Sequence, residues 1–249
     1  MKFGAIIIGD EILSGKRQDK HLGKAIATLA ERGLELSWTQ YLGDDPELIA
    51  ATLRRTFAGD DVVFSFGGIG ATPDDHTRQS AARAAGVPLV LHPEAEAEIR
   101  GRFRDDPKGV TPQRLMMGEF PEGAAIIPNP YNRIPGFTFR NHHFLPGFPE
   151  MAWPMLEWVL GNHYAHASAE RAVEAAIIVR EAGESQLIEL MNDCLRSYPA
   201  LKVFSLPRVT PERHIELGVR GNAAQVAEAI ALLQAGVSSL GFPWVHAQS

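Results

Sequence analysis

The chain has 249 residues, room for one large domain or for a medium domain and a small one. Hydrophobic residues make up 45% and charged residues 22%, the balance of an ordinary globular protein. A net charge of −6 excludes a global basic field for nucleic acid, and the single Cys194 excludes an internal disulfide and argues against a cysteine zinc site.

The N-terminal stretch Met1–Gly9 has too short an apolar run for a signal peptide, and no run approaches the length of a membrane span. The cytoplasm is therefore the expected compartment. Ala5–Ile8 reads as a buried strand. His21–Arg32 reads as a helix with Leu22, Ile26 and Leu29 on one face and Gly33 as its stop. Leu34–Leu42 alternates like a strand, and Asp45-Pro46 opens a helix with Ile49, Leu53 and Phe57 as its buried stripe. Val62–Phe66 is a third strand, followed by a helix over Arg78–Ala85 that Gly86 ends. Val87–Leu91 is expected as a fourth strand, and His92-Pro93 starts a helix through Phe103. This alternation predicts a doubly wound, mostly parallel sheet with helices on both faces.

Beyond it, Gly109–Gly118 reads as a short helix, and Ala124–Ile127 and Phe137–Leu145 as strands, the latter turning near Arg140–His142. Pro149–Leu160 reads as a helix interrupted by Pro154. From Arg171 a strand, helix, strand, strand, helix order over 171–238 predicts a small α+β (βαββα) domain. Gly161–Glu170, polar and without apolar period, is the expected linker after a first domain over 1–160. Cys194 falls in a helical pattern and reads as a core residue.

The chemistry concentrates in Gly67-Gly68-Ile69-Gly70-Ala71-Thr72-Pro73-Asp74-Asp75-His76-Thr77, a glycine-rich turn from strand to helix with two acids at its far end. Glycines let backbone N–H groups crowd an anion, and a helix N-terminus adds its dipole. Adjacent carboxylates at that place are suited to a divalent cation that bridges phosphates. The run Gly9-Asp10-Glu11-Ile12-Leu13-Ser14-Gly15 leaves the first strand, and Gly43-Asp44-Asp45 leaves the second, at the same rim of an open sheet. The expected ligand is a phosphorylated small molecule, nucleotide-like or pterin-like.

These motifs, with Leu145-Pro146-Gly147-Phe148-Pro149-Glu150-Met151, resemble the MoaB/Mog molybdopterin-binding fold. The resemblance is closest to the N-terminal part of CinA (competence/damage-inducible) proteins, and extends to the N-terminal domain of eukaryotic FAD synthases. It covers roughly residues 3–160, and the tail to about 235 is similar to the small α/β piece that follows in CinA proteins. It implies binding of molybdopterin or of a nucleotide diphosphate, and metal-dependent hydrolysis of ADP-ribose-like pyrophosphates. A divalent cation of the Mg, Mn or Co type is the implied cofactor, and a homo-oligomer the implied assembly. A non-catalytic carrier or a vestigial interaction module is the alternative. Two departures stand out. Asn132-Arg133-Ile134 replaces the family's Gly-Thr-Ala before Pro135-Gly136, and the deamidase-like domain of full CinA proteins is not expected in this sequence.

The candidate catalytic residues are Asp74, Asp75 and Glu11, the two aspartates doubling as metal ligands. The candidate ligand and phosphate contacts are Gly9, Asp10, Gly67, Gly68, Gly70, Thr72, Asn129, Arg133, Pro146 and Gly147. Asp75 has a second reading as the third residue of a helix capped by Thr72. Asp44-Asp45 reads first as a helix cap, Gly147 as a tight turn or a ligand-facing backbone, and His76 as a proton-transfer group or an exposed helix residue. His142-His143 cannot chelate together from one strand and reads as a solvated hairpin tip. Trp153 and Trp158 read as packing residues. Phe137, Phe139, Phe144 and Phe148 are apolar material for an interface or for the core.

Overall fold

A computed structural model describes residues 1–167, 172–209 and 213–247. Met1–Ala167 and Ser168–Ser249 form two compact units. The end of the expected linker, Ser168 to Glu170, and the expected domain start at Arg171 lie outside the described residues. The linker's beginning is helical, because α7 (Pro149–His163) runs past Leu160 and His163 packs its ring on Trp158 and His143.

In the first unit β1 (Phe3–Ile8) is buried on both faces. A one-turn α1 (Asp10–Leu13), α2 (His21–Ala30), β2 (Leu36–Leu42), α3 (Pro46–Phe57), β3 (Val62–Phe66) and α4 (Thr77–Ala85) follow. Asp45 caps α3 by accepting from the backbone N–H groups of Glu47 and Leu48, so Pro46 loses nothing at the first helical position. Gly86 ends α4 in the left-handed region at φ 72°.

β4 (Leu89–Leu91), α5 (Pro93–Arg102), α6 (Pro112–Met116), β5 (Glu119–Pro121), β6 (Ala125–Ile127), β7 (Gly136–Phe139), β8 (His142–Leu145) and α7 complete the unit. The main sheet has the order β2-β1-β3-β8-β7-β6, with parallel pairing from β2 to β8 and antiparallel pairing beyond. Ala5 and Ile7 face a core with α2 and α7, while Ile6 and Ile8 face a core with α3. Burial on both faces is what a near-continuous apolar β1 requires.

The expected fourth parallel strand is elsewhere. β4 pairs antiparallel with β5 in a separate ribbon, and β8 takes the place beside β3. Val90 is exposed and Leu89 and Leu91 are half-buried, so the segment lacks the two-sided apolar surface of a central strand.

The hairpin expectation is also corrected. The turn is only Arg140-Asn141, with Arg140 in the left-handed region at φ 53°, so His142 and His143 belong to β8 and are each 1% exposed. They point to opposite faces, as adjacent strand residues must. His142 Nε2 lies 2.8 Å from the Thr56 hydroxyl, and the ring nitrogens of His143 lie 2.8 Å from the Thr138 and Tyr164 hydroxyls. Burial, reinforced by Arg140 for His142 and by His163 for His143, pushes both pKa values down to about 3. Phe137 and Phe144 stack at 4.3 Å and, with Phe139, are core residues, which leaves Phe148 alone of that set exposed. Trp153 and Trp158 pack against the α7 core.

The second unit contains β9 (Val173–Arg180), a 3₁₀ turn (Glu184–Gln186), α8 (Ile188–Ser197), β10 (Lys202–Arg208), β11 (His214–Gly221), α9 (Ala223–Ser239) and β12 (Trp244–His246). Its antiparallel sheet has the order β10-β11-β9-β12. This is the βαββαβ, ferredoxin-like arrangement. The expected βαββα unit lacked β12, a strand of three residues and too short to show a period. Cys194 is buried in this unit's core. Among the described residues no helix is long and apolar enough to cross a membrane.

The two buried histidines generate a prediction. Their folded pKa of about 3 lies below the ordinary 6.5, so the unfolded chain binds more protons between those values. Stability is complete above pH 6.5 and falls on acidification through that window, by about 1.4 kcal/mol per pH unit for each histidine. Urea titrations from pH 7 to pH 4 should show this slope. Combining His142→Gln with His143→Gln should flatten it, and an unchanged slope would contradict the assignment.

Candidate functional site

The glycine loop is held by its carbonyls. Thr77 donates its hydroxyl to the Gly67 carbonyl at 3.0 Å and its N–H to the Gly68 carbonyl at 2.9 Å. Arg78 donates Nε to the Ile69 carbonyl at 3.1 Å and a terminal nitrogen to the Gly70 carbonyl at 2.6 Å. Its other terminal nitrogen reaches the Met116 carbonyl and, at 3.3 Å, the Glu119 carbonyl. Arg78 is 1% exposed, and burial lowers its pKa while the charges of Glu119 and Asp75 oppose that shift.

With these carbonyls turned onto α4, the N–H groups of Gly68, Ile69, Gly70 and Ala71 have no acceptor among the described residues. Glycine is obligatory at two places. Gly67 and Gly68 have φ of 101° and 68°, and a Cβ there would stand 2.3 Å from the Ile8 carbonyl oxygen or 2.2 Å from the Thr77 hydroxyl.

The acids divide by task. Asp75 accepts the Thr72 N–H at 2.8 Å and the Thr72 hydroxyl on one oxygen, closing the turn ahead of α4. The helix starts at Thr77, with His76 at its N-cap position, so the expected Thr72 cap is replaced by this tie. Asp74 is exposed, and the Thr72 hydroxyl followed by its own backbone N–H holds its carboxyl below the usual range. Asp10 and Asp44 exchange backbone-to-carboxylate bonds of 2.9 and 3.2 Å, which fasten the end of β1 to the end of β2. Asp44 is therefore a loop tie and Asp45 the cap. Burial pushes the Asp44 carboxyl up; the Asp10 N–H opposes this, and the charges of Asp10, Glu11 and Asp74 add to it.

A cleft of about 360 Å³ opens where these loops meet. Gly9, Glu11, Gly67, Gly68, Gly70, Thr72, Asp74, Asp75, Asn129, Pro146 and Gly147 all line it. Asp10 lies instead in an adjoining hollow with Glu11, Asp44 and Asp74. Arg133 does not line the cleft. Its backbone is left-handed at φ 64°, and its guanidinium pairs with Glu98 at 2.8 Å. Asn129 reaches the cleft wall, but its polar atoms are engaged by Asn132, by the Ile134 carbonyl and by the Tyr131 N–H, which makes it a brace of its loop. Gly147 stands against Gly67, and its carbonyl lies 3.1 Å from Nε2 of the buried His21.

Sequence reasoning missed Arg17, a cation in the cleft wall, and Met117, Phe148 and Met151 on its apolar side, where they join Ile134 of the Asn132-Arg133-Ile134 departure. Arg17 follows the quoted Gly9–Gly15 run, and its N–H bonds the Glu11 carbonyl at 2.9 Å. Proximity to that motif was the available signal.

The donor set bears on a divalent cation. Among the described residues no three histidines, cysteines or acids converge as ligands. A protein-only cage does not fit. A cation held by one or two carboxylates and completed by ligand phosphates does fit, since such ions keep few protein ligands.

Comparison with known proteins agrees with the geometry. A family model described as a probable molybdopterin binding domain matches residues 4–166. A CinA-like protein of Geobacter metallireducens is 34% identical over 209 residues, covering 82% of this chain and 51% of that one. Protein PAE0875 of Pyrobaculum aerophilum is 27% identical over 236 residues, covering 90% and 87%. A solved CinA structure of unknown function from Thermoplasma acidophilum superposes with a TM-score of 0.58 at 28% identity, covering 65% of this chain and 98% of that one. The chain spans about half the length of the Geobacter relative.

Two substitutions test the loop ties. Arg78→Lys loses the planar fork and leaves buried carbonyls unsatisfied, which should cost about 2–4 kcal/mol of unfolding free energy. Asp75→Asn keeps an acceptor but loses the charge-assisted bonds, and should cost about 1 kcal/mol. Denaturant midpoints check both, and unchanged midpoints would remove the ties from the account.

Proposed function

The chain belongs to the molybdopterin-binding domain family over residues 4–166, in the version found in CinA-like proteins, and on that footing we propose that the cleft binds a phosphorylated pterin or a nucleotide diphosphate and hydrolyses ADP-ribose-like pyrophosphates with a divalent cation. One observation carries the phosphate part. The carbonyls of Gly67 to Gly70 are all bonded to Thr77 and Arg78, so the loop offers amide N–H groups to an anion.

The same wall holds Glu11, Asp44, Asp74 and Asp75 against Arg17. A polyphosphate meets repulsion there unless a cation accompanies it. Asp74 and Glu11 are the residues that would hold the cation, which would neutralise phosphate charge and polarise a phosphoryl oxygen. Arg17 would take a non-bridging phosphate oxygen, and the loop amides would hold the other phosphate. Glu11 or Asp74 would orient water and accept its proton as the new P–O bond forms and the P–O–P bridge breaks. ADP-ribose would give AMP and ribose 5-phosphate.

A second reading, a binding protein without turnover, is favoured by the engagement of Asp75 with Thr72, which occupies one of the candidate catalytic acids in closing its own turn. ADP-ribose incubated with and without magnesium, manganese or cobalt separates the two. Release of AMP only with cation supports hydrolysis, binding without release supports the second reading, and no binding refutes the phosphate site.

Asp74→Asn should lower cation-dependent turnover at least tenfold (roughly the loss of one charged partner) with no change in melting temperature. Arg17→Gln should weaken ligand binding by roughly ten- to a hundredfold. Parallel calorimetry and thermal melts check both, and full activity in the two variants would move the chemistry elsewhere.

A further inference from the structure

Phe148 is the one exposed phenylalanine among the described residues of the first unit. Phe64, Phe66, Phe137 and Phe144 are buried in its cores, whereas Phe148 is 53% exposed and lines the cleft. Its backbone is not loose. The Phe148 carbonyl accepts the N–H groups of Met151 at 3.0 Å and Ala152 at 2.8 Å, so the residue sits at the fixed start of α7. The residue before it, Gly147, abuts Gly67 of the phosphate-facing loop. The cleft lining also holds an apolar set, Ile134, Met117 and Met151. Met151 is itself held, its sulfur 3.1 Å from the Asn132 amide nitrogen.

A large aromatic side chain half in water, on a rigid backbone beside an anion site, gives no packing account of itself. A flat ring laid on it would remove that apolar surface from water, and stacking on an aromatic side chain does not require base-specific polar groups. We infer that Phe148 is the platform on which the flat heteroaromatic ring of a diphosphate ligand stacks. This rests on the phosphate reading above. It adds that the ring, and not only the diphosphate, supplies binding energy, and that Phe148 selects flat-ringed ligands over phosphates alone.

The test uses the full chain, magnesium, and two probes, ADP and inorganic pyrophosphate, measured by calorimetry on wild type, Phe148→Ala and Phe148→Trp. ADP should bind wild type more tightly than pyrophosphate. Phe148→Ala should weaken ADP by roughly tenfold, the scale of one stacking partner, and leave pyrophosphate unchanged. Phe148→Trp should retain ADP. A pterin phosphate in the same series that binds more tightly than ADP and loses as much on Phe148→Ala would support the platform and identify its ring as a pterin. An unchanged ADP affinity in Phe148→Ala, or equal losses for ADP and pyrophosphate with a preserved melting temperature, would overturn the inference. If pyrophosphate binds and ADP gains nothing over it, the phosphate site stands and the platform falls. If neither probe binds wild type, both fall together.

Discussion

The site depends on where one short loop sends its carbonyl groups. Every backbone polar group near a protein interior needs a partner, and a strand-to-helix turn has no ladder to supply them. Here Thr77 and Arg78, the first residues of α4, accept the whole obligation from Gly67 to Gly70. Once the carbonyls are fixed on the helix side, the amides are left on the cleft side. The left-handed backbone at Gly67 and Gly68 is the conformational consequence, and the near contacts with Ile8 and Thr77 exclude any larger residue. Arg78 also reaches Met116 and Glu119, so the loop is fastened to the segment around α6 and β5. A buried guanidinium is expensive unless its donors are used, and here carbonyl oxygens engage all three of its nitrogens.

Electrostatics then sets the chemistry that the cleft can support. Backbone amides and one arginine attract phosphate, while four carboxylates in the wall repel it. The carboxylates are not equivalent. Asp75 is engaged by Thr72, and Asp44 by Asp10, so both serve the loops that carry them. Asp74 is exposed and Glu11 lines both the cleft and its adjoining hollow, which is why the proposed cation falls to these two acids. The adjoining hollow, where Asp10, Glu11, Asp44 and Asp74 meet, explains why the Asp44 carboxyl feels its neighbours as well as its burial.

What the sequence disclosed follows from how far apart the cooperating residues lie. The glycine loop and its acids are contiguous, and the apolar runs before them are long enough to reveal strands, so the rim of β1 and β3 was legible. Three-residue strands were legible only in part: β4 and β6 read as strands without showing their partners, and β5 and β12 carried too little pattern to read at all. That brevity is why Leu89–Leu91 was placed in the parallel sheet and Trp244–His246 was not placed at all. His142-His143 misled because a two-residue turn leaves no solvated tip, and pairing with β3 then carries both rings inside. Residue spacing also cannot show that Arg133, on a left-handed backbone, pairs with Glu98. Arg17 and Phe148 joined the cleft only when separate loops came together.

The two halves of the cleft are built on different principles. The phosphate half consists of backbone, and backbone amides serve any sequence that keeps the glycine conformations and the two α4 residues that hold the carbonyls. The opposite half consists of side chains from the Asn129–Gly136 loop and the Gly147–Met151 segment, where Ile134, Phe148 and Met151 set its shape. Asn129 and Asn132 hold that loop in place through their bonds to each other, to Ile134 and to Met151. This difference explains why the fold can be read from family membership while the identity of the ligand cannot. On the stacking proposal the ligand's ring would be chosen by Ile134, Phe148 and Met151, side chains of that lining.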